Sequence, residues 1–474
     1  MVFSSNIFLF IFLPLTLCGY YLLNQKFRNS FLLLASLFFY FWGDPKFILI
    51  MIVSIVLNYI FGLLIYYSQH KRINNKIKKL ILFLAIISNL GLLFYFKYLD
   101  FSIELLNQLF NMNISLKNIA LPIGISFFTF QGMTYIIDLY WEKVTVQKNP
   151  LKIALYISLF PQLIAGPIVR YQDVNEQIDN RKVSIEKFSE GIKRFVLGLG
   201  KKTIIANTVA FVADNIFNQP YNENTLVTAW VGALCYALQI YFDFSGYSDM
   251  AIGLGKMFGF DFLENFSYPY ISKSITDFWR RWHISLSTFF RDYLYIPLGG
   301  NRKGNVYVNL FIVFFMTGLW HGASLNFIVW GLWHGIFMLL ERITRNSSLL
   351  KFKIPIIIKH TYTLLIVIIG WVFFRAETLE YALAYLGVMF GIVKPVNIGY
   401  DVMYYLDNFA IFIIIIAIIA ATGVLSYLAN KIEKKHSNQP LFNCVKLVYI
   451  SLLMVICVIF VMASTYNPFI YFRF

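Results

Sequence analysis

Phe47-Ile48-Leu49-Ile50-Met51-Ile52-Val53-Ser54-Ile55-Val56-Leu57-Asn58-Tyr59-Ile60-Phe61-Gly62-Leu63-Leu64-Ile65-Tyr66-Tyr67-Ser68-Gln69 runs from Lys46 to His70 without a charged side chain. A helix needs roughly 20 apolar residues to cross the hydrocarbon core of a bilayer, and this stretch supplies them. Comparable uncharged runs occupy Phe3–Gln25, Leu80–Phe96, Gly304–Leu340 and Asn408–Asn430. Of the 474 residues, 59% are hydrophobic, 19% aromatic and only 14% charged, where an average soluble domain carries about 25% charged residues. So few charges cannot clothe a water-soluble body of this size. The apolar runs are continuous rather than alternating, which excludes a β-barrel. The expected fold is an all-α polytopic membrane protein with roughly ten to twelve spanning helices.

The net charge of +16, from 40 Lys and Arg against 24 Asp and Glu, would suggest nucleic acid in a soluble protein. Here the cations cluster between apolar runs, at His70-Lys71-Arg72 through Lys76, Lys78 and Lys79 and again at Lys431, Lys434 and Lys435. That pattern marks cytoplasmic loops and attraction to anionic lipid headgroups, so the expected partner is the bilayer and not nucleic acid. Met1–Gln25 lacks a basic leader and a small-residue cleavage site, and reads as an uncleaved first helix. Lys26 and Arg28 follow it, placing the first loop in the cytoplasm and the amino terminus outside, in a multi-pass protein of the cell membrane. Further crossings are expected near 80–96, 118–138, 152–169, 195–213, 225–242, 361–374, 381–393, 408–430 and 447–466. The stretch 170–194 is polar and reads as a loop with a surface helix. No linker or repeat period divides the chain, which is expected to be one integral-membrane domain over 1–474 with its informative core at about 118–342. Cys18, Cys235, Cys444 and Cys457 show no C-x-x-C spacing, so neither disulfides nor a metal site is expected.

The region Tyr241–Arg342 does not fit simple spans. It opens with Tyr241-Phe242-Asp243-Phe244-Ser245-Gly246-Tyr247-Ser248-Asp249, two carboxylates and several hydroxyls after an apolar run. Placed on one helix at 100° per residue, Lys273, Thr276, Arg280, His283, Ser287 and Arg291 fall within about 80° of one another. An amphipathic helix lying in the interface accounts for that stripe. The alternative is a cavity face on which Arg280, Arg291 and Lys273 take the phosphate of a donor, since guanidinium binds phosphate bidentately.

The uncharged run Gly304–Leu340 has an awkward length. As one helix its roughly 37 residues would reach about 55 Å, against a core of roughly 30 Å. The expectation is two short segments with a break near Gly322-Ala323-Ser324, and non-helical backbone at that depth is tolerated only inside protein or beside a cavity. The run carries Trp320-His321-Gly322 and Trp333-His334-Gly335. An ionisable residue at membrane depth is a functional candidate, and histidine suits proton transfer. His321 adjoins the proposed break. His334 is expected to be an imidazole hydrogen-bonded between helices.

No G-x-S-x-G elbow, P-loop or HExxH is present. Histidines without a nucleophile or metal cluster fit a base that activates a substrate hydroxyl, which is acyl transfer to an alcohol from a separate activated donor. The same residues resemble the signature blocks of the membrane-bound O-acyltransferases. Those blocks are Leu121–Phe127, Ala165-Gly166-Pro167-Ile168, Tyr241–Asp249, Asp277–Ser287 and Thr317-Gly318-Leu319-Trp320-His321-Gly322. Arg291–Asn301 and the closing Tyr466–Phe474 resemble the bacterial alginate O-acetyltransferase branch in particular.

The resemblance implies a bundle of spanning helices around tilted and re-entrant core helices, with a central tunnel. It makes His321 the catalytic histidine and general base, and His283 the second signature histidine, which orients the donor or stabilises a developing oxyanion. No bound cofactor is implied; acetyl-CoA or another cytoplasmic acyl thioester is the donor substrate. The acceptor implied is a hydroxyl of an exported polysaccharide or of a partner protein, with an extracytoplasmic partner resembling SGNH hydrolases completing transfer to the sugar. D-alanyl transfer to teichoic acid is the nearest enzymatic alternative. A transporter or flippase, using broken helices for passage, and a scaffold for a polysaccharide export complex are the non-enzymatic ones.

Overall fold

The computed structural model describes residues 1–71, 73–164, 166–346, 354–396, 399–436, 439–463 and 466–468. Arg72, Ala165 and Phe469–Phe474, which belong to stretches singled out above, lie outside them. Every regular element among the described residues is a helix, which bears out the all-α class. The chain forms two compact units, one of Met1–Phe195 with Tyr247–Leu263, the other of Val196–Gly246 with Glu264–Phe474.

The first unit begins with α1 (Phe8–Leu22) and α2 (Gln25–Gly43). Asp44 and Pro45 turn the chain into α3 (Ile48–His70), and Asn74 caps the start of α4 (Asn75–Phe110) by accepting from the Lys76 amide at 2.9 Å. Inside hydrocarbon, polar side chains must satisfy one another. Asn58 on α3 and Asn89 on α4 do so by exchanging amide hydrogen bonds of 3.0 and 3.1 Å. Next come α5 (Ile125–Tyr140), buried along nearly its whole length, α6 (Pro150–Ser158) and α7 (Tyr171–Asn180). The crossing expected over 152–169 is corrected here. Leu159 leaves helical geometry, so the stretch folds as α6 and one short turn, Phe160–Leu163, too short to span. Two long helices, α8 (Ile185–Phe217) and α9 (Leu226–Met257), carry the chain from one unit into the other.

The second unit contains α10 (Ile275–Arg281), α11 (Ile284–Phe290), α12 (Val306–His321), α13 (Leu325–Asn346), α14 (Ile356–Arg375), α15 (Leu379–Met389), α16 (Asn408–Ala421), α17 (Val424–His436) and α18 (Pro440–Ala463). Seven helices among the described residues are long and apolar enough to cross a membrane: α4, α8, α9, α13, α14, α18, and α3 with its preceding turn. The pair α16 and α17, bent by 65°, makes an eighth if taken as one span, and α1, α12 and α15 are shorter apolar helices. Several apolar runs therefore fold as short or bent helices, while the polytopic architecture stands.

The break in Gly304–Leu340 falls where its length requires, between His321 and Leu325. The resulting hairpin is held by close backbone approach. A Cβ on Gly318 would lie 2.3 Å from the Phe327 carbonyl oxygen, and one on Gly331 would lie 2.3 Å from that of Phe314. Small residues let helices in membranes pack backbone to backbone, and here they fix where α12 ends.

Candidate functional site

The stretch 273–291 is not one helix, which corrects the shared cationic face. Two short helices, α10 and α11, meet at His283, whose φ of 44° is left-handed. Lys273, Arg280 and Arg291 are exposed while His283 is fully buried. Thr276 and Ser287 are half-buried. Arg291 lies 2.7 Å from the Asp292 carboxylate. The structure thus separates His283 from the cations that the helical wheel put beside it. The physical reason is local: the left-handed residue rotates everything after it away from the register that an unbroken helix would keep.

Both ends of this segment are tied down. The Ser274 hydroxyl accepts from the Asp277 amide at 2.9 Å, capping α10. Glu341, on α13, accepts from the Ile275 and Thr276 amides at 2.5 and 3.1 Å and from the Thr276 hydroxyl at 2.9 Å. At the far end the Ile284 amide donates to the Asn265 carbonyl at 2.9 Å. The Asn265 side-chain oxygen lies 3.2 Å from Nδ1 of His283 and accepts from the Ser285 hydroxyl at 2.9 Å. The Phe244 ring meets the imidazole edge-on at 4.5 Å. Burial pushes the His283 imidazole, which lies outside the long apolar helices, down to about 3, so it is neutral at working pH.

His321 is the last residue of α12, and Gly322 after it is extended. It is buried among Trp320, Trp330 and Phe374, with ring centroids at 4.9, 4.8 and 5.2 Å. Trp320 also lies 6.1 Å from His283. The two histidines, far apart in the chain, are therefore brought to the same indole. That arrangement provides two buried imidazoles, one of them oriented by Asn265, in surroundings where a proton transfer would be shielded from bulk water. His334 is also fully buried, between the rings of Trp279 at 5.4 Å and Trp330 at 5.3 Å. Contrary to expectation, neither of its nitrogens has a hydrogen-bond partner among the described residues.

The carboxylates of the Tyr241–Asp249 stretch have separate fates. Asp243 pairs with Lys202 at 2.7 Å, each 2% exposed, and Asp249 pairs with Arg194. Both are neutralised by cations within their own units. Asn265 escaped sequence reading because nothing in its spacing points to His283; Ser285, two residues after the histidine, was the one local signal.

Residues 34–376 match a family model described as MBOAT, membrane-bound O-acyltransferase family. Among curated proteins, the chain is 46% identical over 397 residues to a "Probable alginate O-acetylase AlgI" of Pseudomonas putida, covering 82% of this chain and 80% of that protein. It is 36% identical over 528 residues to a "Peptidoglycan O-acetyltransferase" of Helicobacter pylori, covering 100% and 98%. A "Teichoic acid D-alanyltransferase" of Bacillus subtilis is 31% identical over 236 residues, covering 47% and 59%.

Proposed function

The chain belongs to the membrane-bound O-acyltransferase family, and from that premise we propose that it moves an acetyl group from a cytoplasmic thioester such as acetyl-CoA to hydroxyls of an exported polysaccharide. The observation that carries this reading is the meeting of His283 and His321 on the Trp320 ring, in a buried position at the end of a broken apolar hairpin.

In the proposed reaction His321 takes the proton of the attacking hydroxyl. The hydroxyl oxygen forms a bond to the thioester carbonyl carbon, the carbon–sulfur bond breaks, and the thiolate leaves with a proton returned from the imidazole. General-base assistance of this kind contributes about 10²–10⁴-fold. His283, held neutral and fixed through Nδ1 by Asn265, orients the donor. Of the three cations assigned to donor phosphate, Arg291 is engaged by Asp292, so that part of the reading rests on Lys273 and Arg280. An extracytoplasmic SGNH-like partner completes transfer to the polymer, and a tunnel through the protein connects the two faces.

The acetyl reading is preferred to D-alanyl transfer because the O-acetyl relatives cover 82 to 100% of the chain and the D-alanyl relative covers 47%. A transporter leaves the histidine pair without a role. The proposed orientation puts the amino terminus outside: Met1 lies beside Gly43 and Asp44, at the end of α2 remote from Lys26 and Arg28.

The test is the ester content of cell-surface polymer in wild-type, deletion and His321→Ala cells. The variant is expected to insert in the membrane normally and to yield no ester-linked acetate above the deletion. Retained ester would sink the assignment, and D-alanine released in place of acetate would move the protein to the other branch.

A further inference from the structure

Trp279, Trp330 and His334 form a triangle of rings in mutual contact, with centroids 5.3 to 5.7 Å apart. Trp279 comes from α10, and Trp330 and His334 share one face of α13 at i and i+4. All three are at least nine-tenths buried, at 7%, 0% and 0% exposure. Both indole nitrogens and both imidazole nitrogens lack a hydrogen-bond partner among the described residues. Three other indoles of the same unit do find acceptors. Trp230 donates to the Met389 carbonyl at 2.8 Å, Trp333 to that of Ile366 at 2.9 Å and Trp371 to the Tyr270 hydroxyl at 3.1 Å. Polar groups at membrane depth are costly unless something meets them, so unmet donors concentrated in one place call for a ligand.

The chemistry of the cluster selects that ligand. An indole donates only, and a neutral imidazole carries one donor and one acceptor. The triangle therefore offers three donors against one acceptor and carries no formal charge of its own when His334 is neutral. Such a site suits a neutral oxygen acceptor that gains negative charge during reaction. Phosphate would need a cation, and a hydroxyl would leave donors unmet. Gly370 on α14 lets the backbone pack against the imidazole, since a Cβ there would lie 2.8 Å from Nε2 of His334. Trp330 also touches His321 at 4.8 Å, so the cluster adjoins the proposed base.

We infer that Trp279, Trp330 and His334 form a donor-rich pocket that receives the carbonyl oxygen of the acyl donor. This deepens the acetyl-transfer reading and rests on it. As the acceptor oxygen adds to the carbonyl carbon, the carbonyl electron pair moves onto this oxygen. The three N–H groups hold the resulting charge until the carbon–sulfur bond breaks and the pair returns. The competing account makes the N–H groups lie over neighbouring ring faces as N–H···π contacts, with the cluster a packing element only.

The experiment uses the full chain in lipid nanodiscs and an analogue of acetyl-CoA in which a methylene replaces the thioester sulfur, with an isotope-labelled ketone carbonyl. Hydrogen bonds to a carbonyl lower its infrared stretch. The bound ketone is expected to absorb at lower frequency than the free one. The shift should shrink in Trp279→Phe, Trp330→Phe and His334→Leu, and His334→Gln, which keeps an N–H, should retain more of it than His334→Leu. Losing one donor should lower kcat for transfer by about 10²–10³-fold. A bound analogue with no downshift in the wild type overturns the pocket alone, whatever the folding of the variants. An unchanged shift in all folded variants does the same. An analogue that fails to bind at saturating concentration overturns the pocket together with the acetyl-donor reading.

Discussion

His283 sits in the left-handed region at φ 44° and ψ 55°, a conformation that costs a residue with a Cβ roughly 1–2 kcal/mol. The surroundings hold it there through Asn265, Phe244 and the amide of Ile284. Its buried imidazole also couples folding to pH. With the folded value lowered to about 3 from 6.5, the unfolded chain binds the proton first as pH falls. Stability is therefore unaffected by this group above its ordinary value and declines progressively from there towards the lowered one. Asparagine tolerates the left-handed region and does not titrate. Thermal midpoints of detergent-solubilised protein, measured between about pH 4 and 8, should fall more steeply on acidification in the wild type than in His283→Asn. Parallel curves would show that His283 does not carry this dependence. At this scale the sequence was partly legible: His321 stood out as an ionisable residue at membrane depth and His283 through its place in a signature block, but the burial of His283, Asn265 and the indoles that flank the pair carry no periodic signal.

The hairpin of α12 and α13 shows what an element-level argument can and cannot recover. Its break was legible because an uncharged run of that length fits neither one span nor two. The break at His283 was not, because the apolar and cationic stripe continues through it at helical spacing, and only the backbone records the interruption. The glycines make the hairpin testable. On Gly331 a methyl group would meet the Phe314 carbonyl, a backbone atom that cannot swing aside, whereas a Cβ on Gly91 of α4 meets nothing within 4 Å. Gly331→Ala is expected to cost about 1–3 kcal/mol by overpacking and to displace His321 with the end of α12. Gly91→Ala should be neutral or stabilise by up to about 1 kcal/mol through helix propensity. Unfolding of the two variants in mild detergent, with acetyl transfer measured alongside, checks the contrast; equal effects would remove the close-packing account.

Across the whole chain the scarce charges first told of topology, and within the second unit they still do. Arg302, Lys303, Arg342, Lys359, Lys431, Lys434 and Lys435 lie at the ends where α12 begins, α13 finishes, α14 begins and α17 finishes. At the opposite ends stand Asp214, Glu377, Asp401 and Asp407, with Arg375 bound to Asp214 at 2.7 Å and the Tyr466 hydroxyl donating to the same carboxylate at 2.6 Å. A cavity of about 570 Å³ opens among Phe211, Tyr404, Asp407 and Tyr466 at this acidic end. Basic ends stay in the cytoplasm, so the acidic end and its cavity are expected to face outwards, where the proposed exported acceptor would arrive, with the proposed thioester approaching from the other side. The clusters of cations between apolar runs were legible in the sequence; the acidic ends and the cavity were not, and the cavity depends on α8, α16 and α18 converging. In a chain stripped of its own cysteines, Tyr404→Cys, at a site 66% exposed, should react with a membrane-impermeant maleimide in intact cells. Lys434→Cys should react only after permeabilisation. The reverse pattern would invert the protein, and with it the side from which the donor must come.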